Sequence, residues 1–292
     1  TIRALKEMSL EELMEMEVTS VSRRPEKLLE TASAIQVITG EEIRRSGATS
    51  LPEALRLAGN LQVAQKGAHA WGISARGFNT DLANKLLVMI DGRTVYTPLY
   101  SGVFWDRQDY LLADIERIEV ISGPGGTLWG ANAVNGVINV ISKSAADTPG
   151  VHLEAAAGSK LPGFVGGRYG GKLAPNVHFR VYGKYFDRDG EVFGDGRAAG
   201  DSWRMGQGGF RLDATLPAGD QVTVQGDAYR MDEGVLTGGS ARVSGANLLA
   251  RWSRVLSDDS DFSLQLYYDR THLLTPAPAL ILNGTQFAPP GT

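Results

Sequence analysis

Apolar positions along the chain follow two different patterns. Up to about Pro149, short amphipathic stretches carrying helix signals are interleaved with runs that are apolar on both faces. Beyond it a two-residue alternation takes over. The densest early runs are Ile118–Ile121 and Val137–Ile141, flanking a loop that holds Gly123, Gly125, Gly126, Gly130 and Gly136. A strand with one face in water would alternate, so both runs are expected to be buried strands. The glycines between them imply sharp turning or close packing of the backbone.

Ahead of these strands, Ser9–Met16 reads as a short acidic amphipathic helix, with Ser9 as N-cap and Glu12 completing a capping box. Glu17–Ser22 reads as a short strand or extended arm. Thr39-Gly40-Glu41-Glu42 is a capping box that opens a helix ending at Gly47. Ser50-Leu51-Pro52-Glu53 predicts a second helix to about Gly59, with Ser50 as N-cap and Pro52 in the first turn. Strands are expected at about Leu61–Gln65, Ile73–Arg76 and Leu86–Ile90, the last closed by the turn signal Asp91-Gly92.

In the second half, Phe179-Val181-Gly183-Tyr185, Phe210-Leu212-Ala214-Leu216, Val222-Val224-Gly226-Ala228, Leu248-Ala250-Trp252 and Phe262-Leu264-Leu266-Tyr268 each occupy alternate positions. Roughly seven strands fit between Val151 and His272. Short connections at 174–176, 217–220 and 257–261 alternate with longer ones at 187–202, 231–240 and from Leu274 onward. That parity suits a membrane barrel with tight turns at one end and long loops at the other, whereas a soluble sandwich has no reason to keep it. Tyr185, Trp252 and Tyr268 would suit aromatic girdles at the lipid interface.

Composition narrows the classes. Glycine supplies 36 of 292 residues, well above the usual ~7%, which favours a β- or loop-rich protein over a helical enzyme. A net charge of −4 argues against a nucleic-acid partner. Without cysteine there are no disulfides and no thiolate metal sites. No apolar run is long enough for a membrane-spanning helix, and Thr1-Ile2-Arg3 does not open a secretory signal. A closed β-barrel remains the way to cross a membrane without one.

Catalytic chemistry has little foothold. His69, His152, His178 and His272 show no metal-ligand spacing, and no Gly-x-Ser-x-Gly elbow occurs. Gly123-Pro124-Gly125-Gly126 is followed by Thr127-Leu128, not the Gly-Lys-Ser/Thr of a phosphate cradle. The acidic clusters at 187–191 and 258–261 lack the spacing of a calcium loop and read as solvated turns. The chain is expected to be neither an enzyme nor a cofactor carrier. Between Thr94 and Trp105, the aromatic-rich YTPLYSGVFW has neither helical nor strand spacing, and an exposed loop of this kind usually marks a binding surface.

One stretch carries a resemblance. Ile115-Glu116-Arg117-Ile118-Glu119-Val120, Gly123-Pro124, Trp129-Gly130, Ala133, Gly136-Val137-Ile138-Asn139 and Ser142-Lys143 resemble the end of the plug domain of TonB-dependent outer-membrane receptors. Ile38-Thr39 with Glu42-Ile43, Leu55 with Leu61-Gln62-Val63, Ser74-Ala75-Arg76-Gly77-Phe78 and Leu87–Gly92 extend the resemblance over roughly Val18–Lys143. It implies an α+β plug, a small mixed sheet with short helices, followed by antiparallel transmembrane β-barrel strands. Residues 1–22 would be an arm, 23–146 the plug and 147–292 the first roughly seven strands of a barrel of about 22, with on the order of 300 further residues needed to close it. The barrel in this chain would be incomplete.

The resemblance further implies active uptake of a scarce nutrient across a Gram-negative outer membrane, most readily a ferric siderophore, with cobalamin, haem or carbohydrate as other cargo. Its partners would be a TonB-type energy transducer, the small-molecule substrate and outer-membrane lipid, and the receptor would be a monomer. Ligand contact is expected at the plug apex from His69, Trp71, Arg93, Tyr96, Tyr100, Phe104, Trp105 and Arg107. Transducer contact, by strand addition, is expected at Glu17, Val18, Thr19, Ser20 and Val21. Arg76 matches the family arginine that locks plug to barrel, while Ser122 stands where the family usually has another arginine. Gly123, Pro124, Gly130, Gly136 and Asn139 would shape the packed terminal loop. A passive gated porin or adhesin, and a soluble periplasmic binding protein, are the competing classes.

Overall fold

A computed structural model describes residues 17–18, 26–27, 34–97, 101–236, 238–257, 260–275, 280–282 and 285–288. The expected helix at Ser9–Met16 lies outside them. Contacts divide the chain into two units: Thr1–Lys66 with Ala70–Lys143, and Gly67–His69 with Ser144–Thr292. The handover has a physical marker. The amide of Lys143 still donates to the Asp114 carbonyl (2.8 Å), whereas that of Ala145 donates to the Asp213 carboxylate (2.7 Å).

The first unit is a mixed sheet with short helices. Strands β3 (Ala34–Thr39), β6 (Leu86–Ile90), β7 (Arg93–Thr94), β8 (Ile115–Ser122) and β9 (Gly136–Ser142) are ordered β3-β8-β9-β6-β7. The two doubly apolar runs become β8 and β9, neighbours in the interior of that order. β9 pairs antiparallel with β8 and parallel with β6. Ile118, Val120, Ile138 and Val140 pack in one core cluster with Ile43, Leu51 and Leu55. Val137, Leu87, Met89 and Ile121 build a second cluster on the opposite side. Burial on both faces explains why neither strand alternates.

Helix α1 (Gly40–Ser46) has its full capping box, with Glu42 N–H donating to Thr39 Oγ1 (3.2 Å) and Thr39 N–H to Glu42 Oε2 (2.8 Å). Helix α2 (Leu51–Leu55) differs from expectation. Ser50 makes no side-chain cap; Glu53 instead accepts from the Thr49 amide (2.7 Å) and hydroxyl (2.8 Å), shifting the reciprocal contact one residue earlier. The helix stops at Leu55, well short of Gly59. Strands β4 (Leu61–Gln65) and β5 (Trp71–Ala75) form a separate hairpin. The Asp91-Gly92 turn joins β6 to β7 with positive φ at both residues (51° and 79°), the pairing a tight hairpin needs.

The terminal loop glycines work in two ways. A Cβ on Gly136 would lie 2.5 Å from the Ile121 carbonyl oxygen and 3.2 Å from Leu86 Cδ1, so strand β9 enters the sheet only as bare backbone. Gly130 is not crowded. It closes helix α3 (Gly126–Trp129) at φ 77°, ψ −147°, a region that L side chains avoid. The expectation of close packing at Gly130 is thus replaced by one of conformation.

The second unit is a seven-stranded antiparallel meander, paired in chain order: β10 (Gly150–Ala156), β11 (Gly163–Ala174), β12 (Val177–Arg188), β13 (Trp203–Thr215), β14 (Gln221–Gly234), β15 (Ser240–Ser257) and β16 (Ser260–Leu274). Among the described residues β10 and β16 each pair on one side only, so this sheet does not close. Register places Val181, Phe210, Gly226, Leu248 and Tyr268 in one row across five strands. Their face carries Leu153, Val165, Tyr169, Tyr185, Leu264 and Leu266 as well, all exposed. The opposite face holds Arg180, Lys184, Gln207, Gln225 and Asp227, all buried. A water-soluble sheet would show the reverse; apolar-out with polar-in is the dress of a strand whose outer face meets lipid.

Connection lengths are less regular than expected. The 189–202 loop is long, but β14 runs on to Gly234, leaving 235–239 no longer than 216–220. The two-residue alternation simply continues through Met231–Gly234, where the sequence suggested a loop.

We predict that Gly136→Leu abolishes accumulation of folded protein, seen as loss of heat-modifiable migration. Gly130→Leu should leave a folded protein destabilised by ~1–3 kcal/mol in denaturant titration.

Candidate functional site

Three local constructions carry the residues expected to act. The first is the tripeptide Gly67–His69, which packs with the second unit although its neighbours in sequence do not. The Ala68 amide donates to Asp201 Oδ2 (2.8 Å), and the Glu191 amide to Asp201 Oδ1 (2.7 Å). His69 Nε2 lies 3.0 Å from the Gly234 carbonyl oxygen, and its Nδ1 3.5 Å from Glu233 Oε2. Ala68 also joins a cluster with Leu161, Phe186, Trp203, Met205, Met231 and Val243, where Phe186 and Trp203 meet edge to face at 4.6 Å. Burial acts to raise the Asp201 carboxyl, but the amides of Ala68 and Glu191, with His69 nearby, outweigh it and hold the group below its ordinary value. His69 therefore sits at the end of the sheet that bears the 189–202 loop.

The second construction is the turn from Arg93 to Tyr110 in the first unit. Arg93 is buried and Nη2 donates to Tyr110 Oη (3.3 Å). Arg107 is also buried, its guanidinium 4.0 Å from the Phe104 ring centroid and 3.4 Å from Asp106. Neither arginine is an open cation waiting for an anion. Trp71 and Trp105 are each 5% exposed and belong to the core of the unit. Tyr96 and Phe104 are half-buried, and Tyr100 lies outside the described residues. Among its described residues the aromatic stretch thus splits: Trp105 builds core, while Tyr96 and Phe104 keep part of their surface.

The third is the turn at Arg76-Gly77-Phe78, three successive residues with positive φ (56°, 90° and 58°). Left-handed backbone at a bulky residue is strained and tends to persist where function needs it. Arg76 is exposed, and its Nη1 lies 3.9 Å from where a Cβ on Gly123 would be. Beside it, Asn60 Nδ2 donates to Ser122 Oγ (2.5 Å). The position of the second family arginine is thus filled by a neutral hydrogen bond within the unit. Asn139 is buried in β9, and Asp91 caps the strand's end, accepting from the Ser142 amide (2.8 Å) and hydroxyl (2.7 Å).

In the arm, Glu17–Val18 pairs as β1 with β2 (Glu26–Lys27), and Val18 is fully buried. Thr19, Ser20 and Val21 lie outside the described residues. Asp201, Glu233 and Trp203 were not anticipated as partners of the 67–69 loop. Contacts 133 residues apart leave no periodic signal in one sequence. Among the described residues no three His, Cys, Asp or Glu side chains converge as metal ligands.

A mixed α+β unit followed by outward-apolar antiparallel strands has the element order of a plug domain and the opening strands of an outer-membrane barrel. Residues 27–137 match the model of the TonB-dependent receptor plug domain. Over 144 residues the chain is 34% identical to the vitamin B12 transporter BtuB of Vibrio vulnificus, covering 49% of this chain and 23% of that relative. The siderophore receptor PiuA from Acinetobacter baumannii superposes with a TM-score of 0.68 at 17% identity, over 91% of this chain and 40% of that one. The copper transporter OprC does so at 0.66 and 17%, over 80% and 36%. At such identities these two likenesses speak for the fold alone. Residues 27–137 thus match a TonB-dependent receptor plug domain, and the chain spans under a quarter of the length of the Vibrio vulnificus relative (23%).

Asp201→Asn should speed hydrogen exchange of the Ala68 amide about tenfold, the loss of one charge-assisted bond. Because the folded carboxyl is held below its usual 3.8, the stabilisation is present above that value and is lost as pH falls through the lower folded one. Exchange protection at Ala68, corrected for intrinsic rates, that collapses already between pH 6 and 5 would contradict the assignment.

Proposed function

We propose that the chain serves energised uptake of a scarce, bulky nutrient, with a ferric siderophore as cargo. The observation that carries this reading is the joint presence of a plug and a lipid-facing meander, because a plugged barrel passes nothing large unless work is done on the plug. In this reading cargo meets His69, Tyr96 and Phe104, the expected ligand residues that keep exposed surface. A TonB-type transducer adds a strand at 17–21, where main-chain pairing tolerates varied side chains. The β1–β2 pairing would have to open or share its free edge for this. Arg76, held outward by its strained turn, locks plug to wall, with Ser122 leaving it to act without a second arginine.

A second reading, cobalamin as cargo, is favoured by the 34% identity to a vitamin B12 transporter. The two differ in outcome. With a siderophore as cargo, deletion of the gene impairs growth under iron limitation and leaves cobalamin-dependent growth intact; the reverse result assigns cobalamin. Uptake that continues after collapse of the proton-motive force, or after removal of residues before Arg23, would favour a passive porin. Arg76→Ala is expected to raise passive leak of a small hydrophilic antibiotic several-fold, and unchanged leak would remove Arg76 from the lock.

A further inference from the structure

The 189–202 loop is folded on itself. The Ala199 amide donates to the Glu191 carbonyl (2.8 Å), the Phe193 amide donates to the Arg197 carbonyl (2.8 Å), and Val192 bridges Ala198. At the tip Arg197 Nε donates to Asp195 Oδ2 (2.7 Å), and the same guanidinium lies over the Phe193 ring. Bonded internally in this way, the loop moves as one body, a tongue whose freedom is set at its root.

A single carboxylate closes that root. Asp201 is buried, and its Oδ1 accepts from the Glu191 amide on the other side of the tongue (2.7 Å). A Cβ on Gly190 would lie 2.9 Å from that oxygen and 3.1 Å from the Ser202 nitrogen, so glycine is what lets the carboxylate sit so close. Lys160 adds ties to the Gly190 carbonyl (3.1 Å) and to Glu191 Oε2 (2.9 Å), but both side chains are largely exposed and the ion pair is weak. Asp201 Oδ2 meanwhile accepts from the Ala68 amide (2.8 Å). That donor belongs to a fingertip. Gly67–His69 is the loop of the β4–β5 hairpin, closed at its base by the Lys66 amide on the Ala70 carbonyl (2.9 Å). It groups with the second unit although both of its strands group with the first.

Moving the hairpin therefore takes the Ala68 donor away from Asp201. A buried carboxylate oxygen that loses a charge-assisted bond is costly to leave in place. Its relief is to turn toward water, which breaks the bond to Glu191. Displacing the tongue has the converse effect on Ala68, since coupling between two bonds to one group is reciprocal.

We propose that Asp201 couples the fingertip to the tongue: seating of Gly67–His69 fixes the 189–202 tongue at its root, and withdrawal of the fingertip frees it. Its use as a gate, an outer loop that the plug itself unlocks when drawn, rests on the uptake reading; the coupling requires neither cargo nor transducer. The test is hydrogen exchange of the receptor in mild detergent, read by mass spectrometry at single residues. Ala68→Pro removes the fingertip donor and Glu191→Pro the tongue donor. Ala68→Pro should speed exchange of the Glu191 and Ala199 amides about three- to tenfold, and Glu191→Pro should speed that of Ala68 by a similar factor. Glu191→Ala, which keeps the amide, should leave Ala68 unchanged, and on an Asp201→Ala background Ala68→Pro should add nothing. Where a proline variant loses heat-modifiable migration, His69→Ala and Gly190→Ala loosen the same two ends, each scored once exchange at its own end rises. Unchanged exchange at Glu191 with the fingertip loosened, or at Ala68 with the root loosened, overturns the proposal. Failure of siderophore and cobalamin uptake alike would leave these rates untouched, so the two readings fail separately.

Discussion

Backbone pairing in a medium without water governs the second half of this molecule. A strand crossing hydrocarbon must satisfy each N–H and C=O through a neighbour, because an unpaired group costs several kcal/mol there. Strands β11 to β15 meet that demand with neighbours on both sides. The same constraint forces side chains to alternate between lipid and lumen, which puts Leu, Val, Phe and Tyr outside and buries Arg180, Lys184 and Asp227 inside. Polar side chains on the inner face are tolerable because they bond one another. Gln207 Nε2 donates to Tyr182 Oη (2.8 Å), and Tyr182 in turn donates to Asp227.

The first unit solves a different problem. Its sheet is buried on both sides, so its strands read as continuous apolar runs and its register depends on local backbone fit. Gly136 admits β9 next to β8, and Asp91 seals the other end of β9 through Ser142. The loop between β8 and β9, which at first sight resembles a phosphate cradle, is a connector whose glycines meet a steric limit at one position and a conformational one at another.

How far these features could be read from residues alone follows the range of the forces involved. The capping box of α1, the β6 strand and its turn, and the seven alternating strands rest on local periodicity and turn chemistry, and each is visible in a short window. The end of α2 was not legible, because nothing in its sequence marks Leu55 as a stop. The extension of β14 to Gly234 was hidden by polar residues that look like a loop yet keep the alternation. Site residues were least legible. Trp71, Trp105, Arg93 and Arg107 have the chemistry of ligand contacts, but core packing draws the tryptophans inward and the buried arginines meet Tyr110, Asp106 and Phe104. Asp201, which clamps the backbone of Ala68, belongs to the same class: an acidic loop residue gains a role only once the fold brings its partner near.

The central claim is that β14 crosses the membrane with its even-numbered positions toward lipid. The chain contains no cysteine, so single-cysteine spin labels placed along 222–232 report without background. Accessibility to oxygen, which partitions into hydrocarbon, is predicted to peak at 222, 224, 226 and 228. It should give way to a water-soluble nickel chelate at 230 and 232. Oxygen maxima at 223, 225 and 227, or no two-residue period at all, would contradict the account.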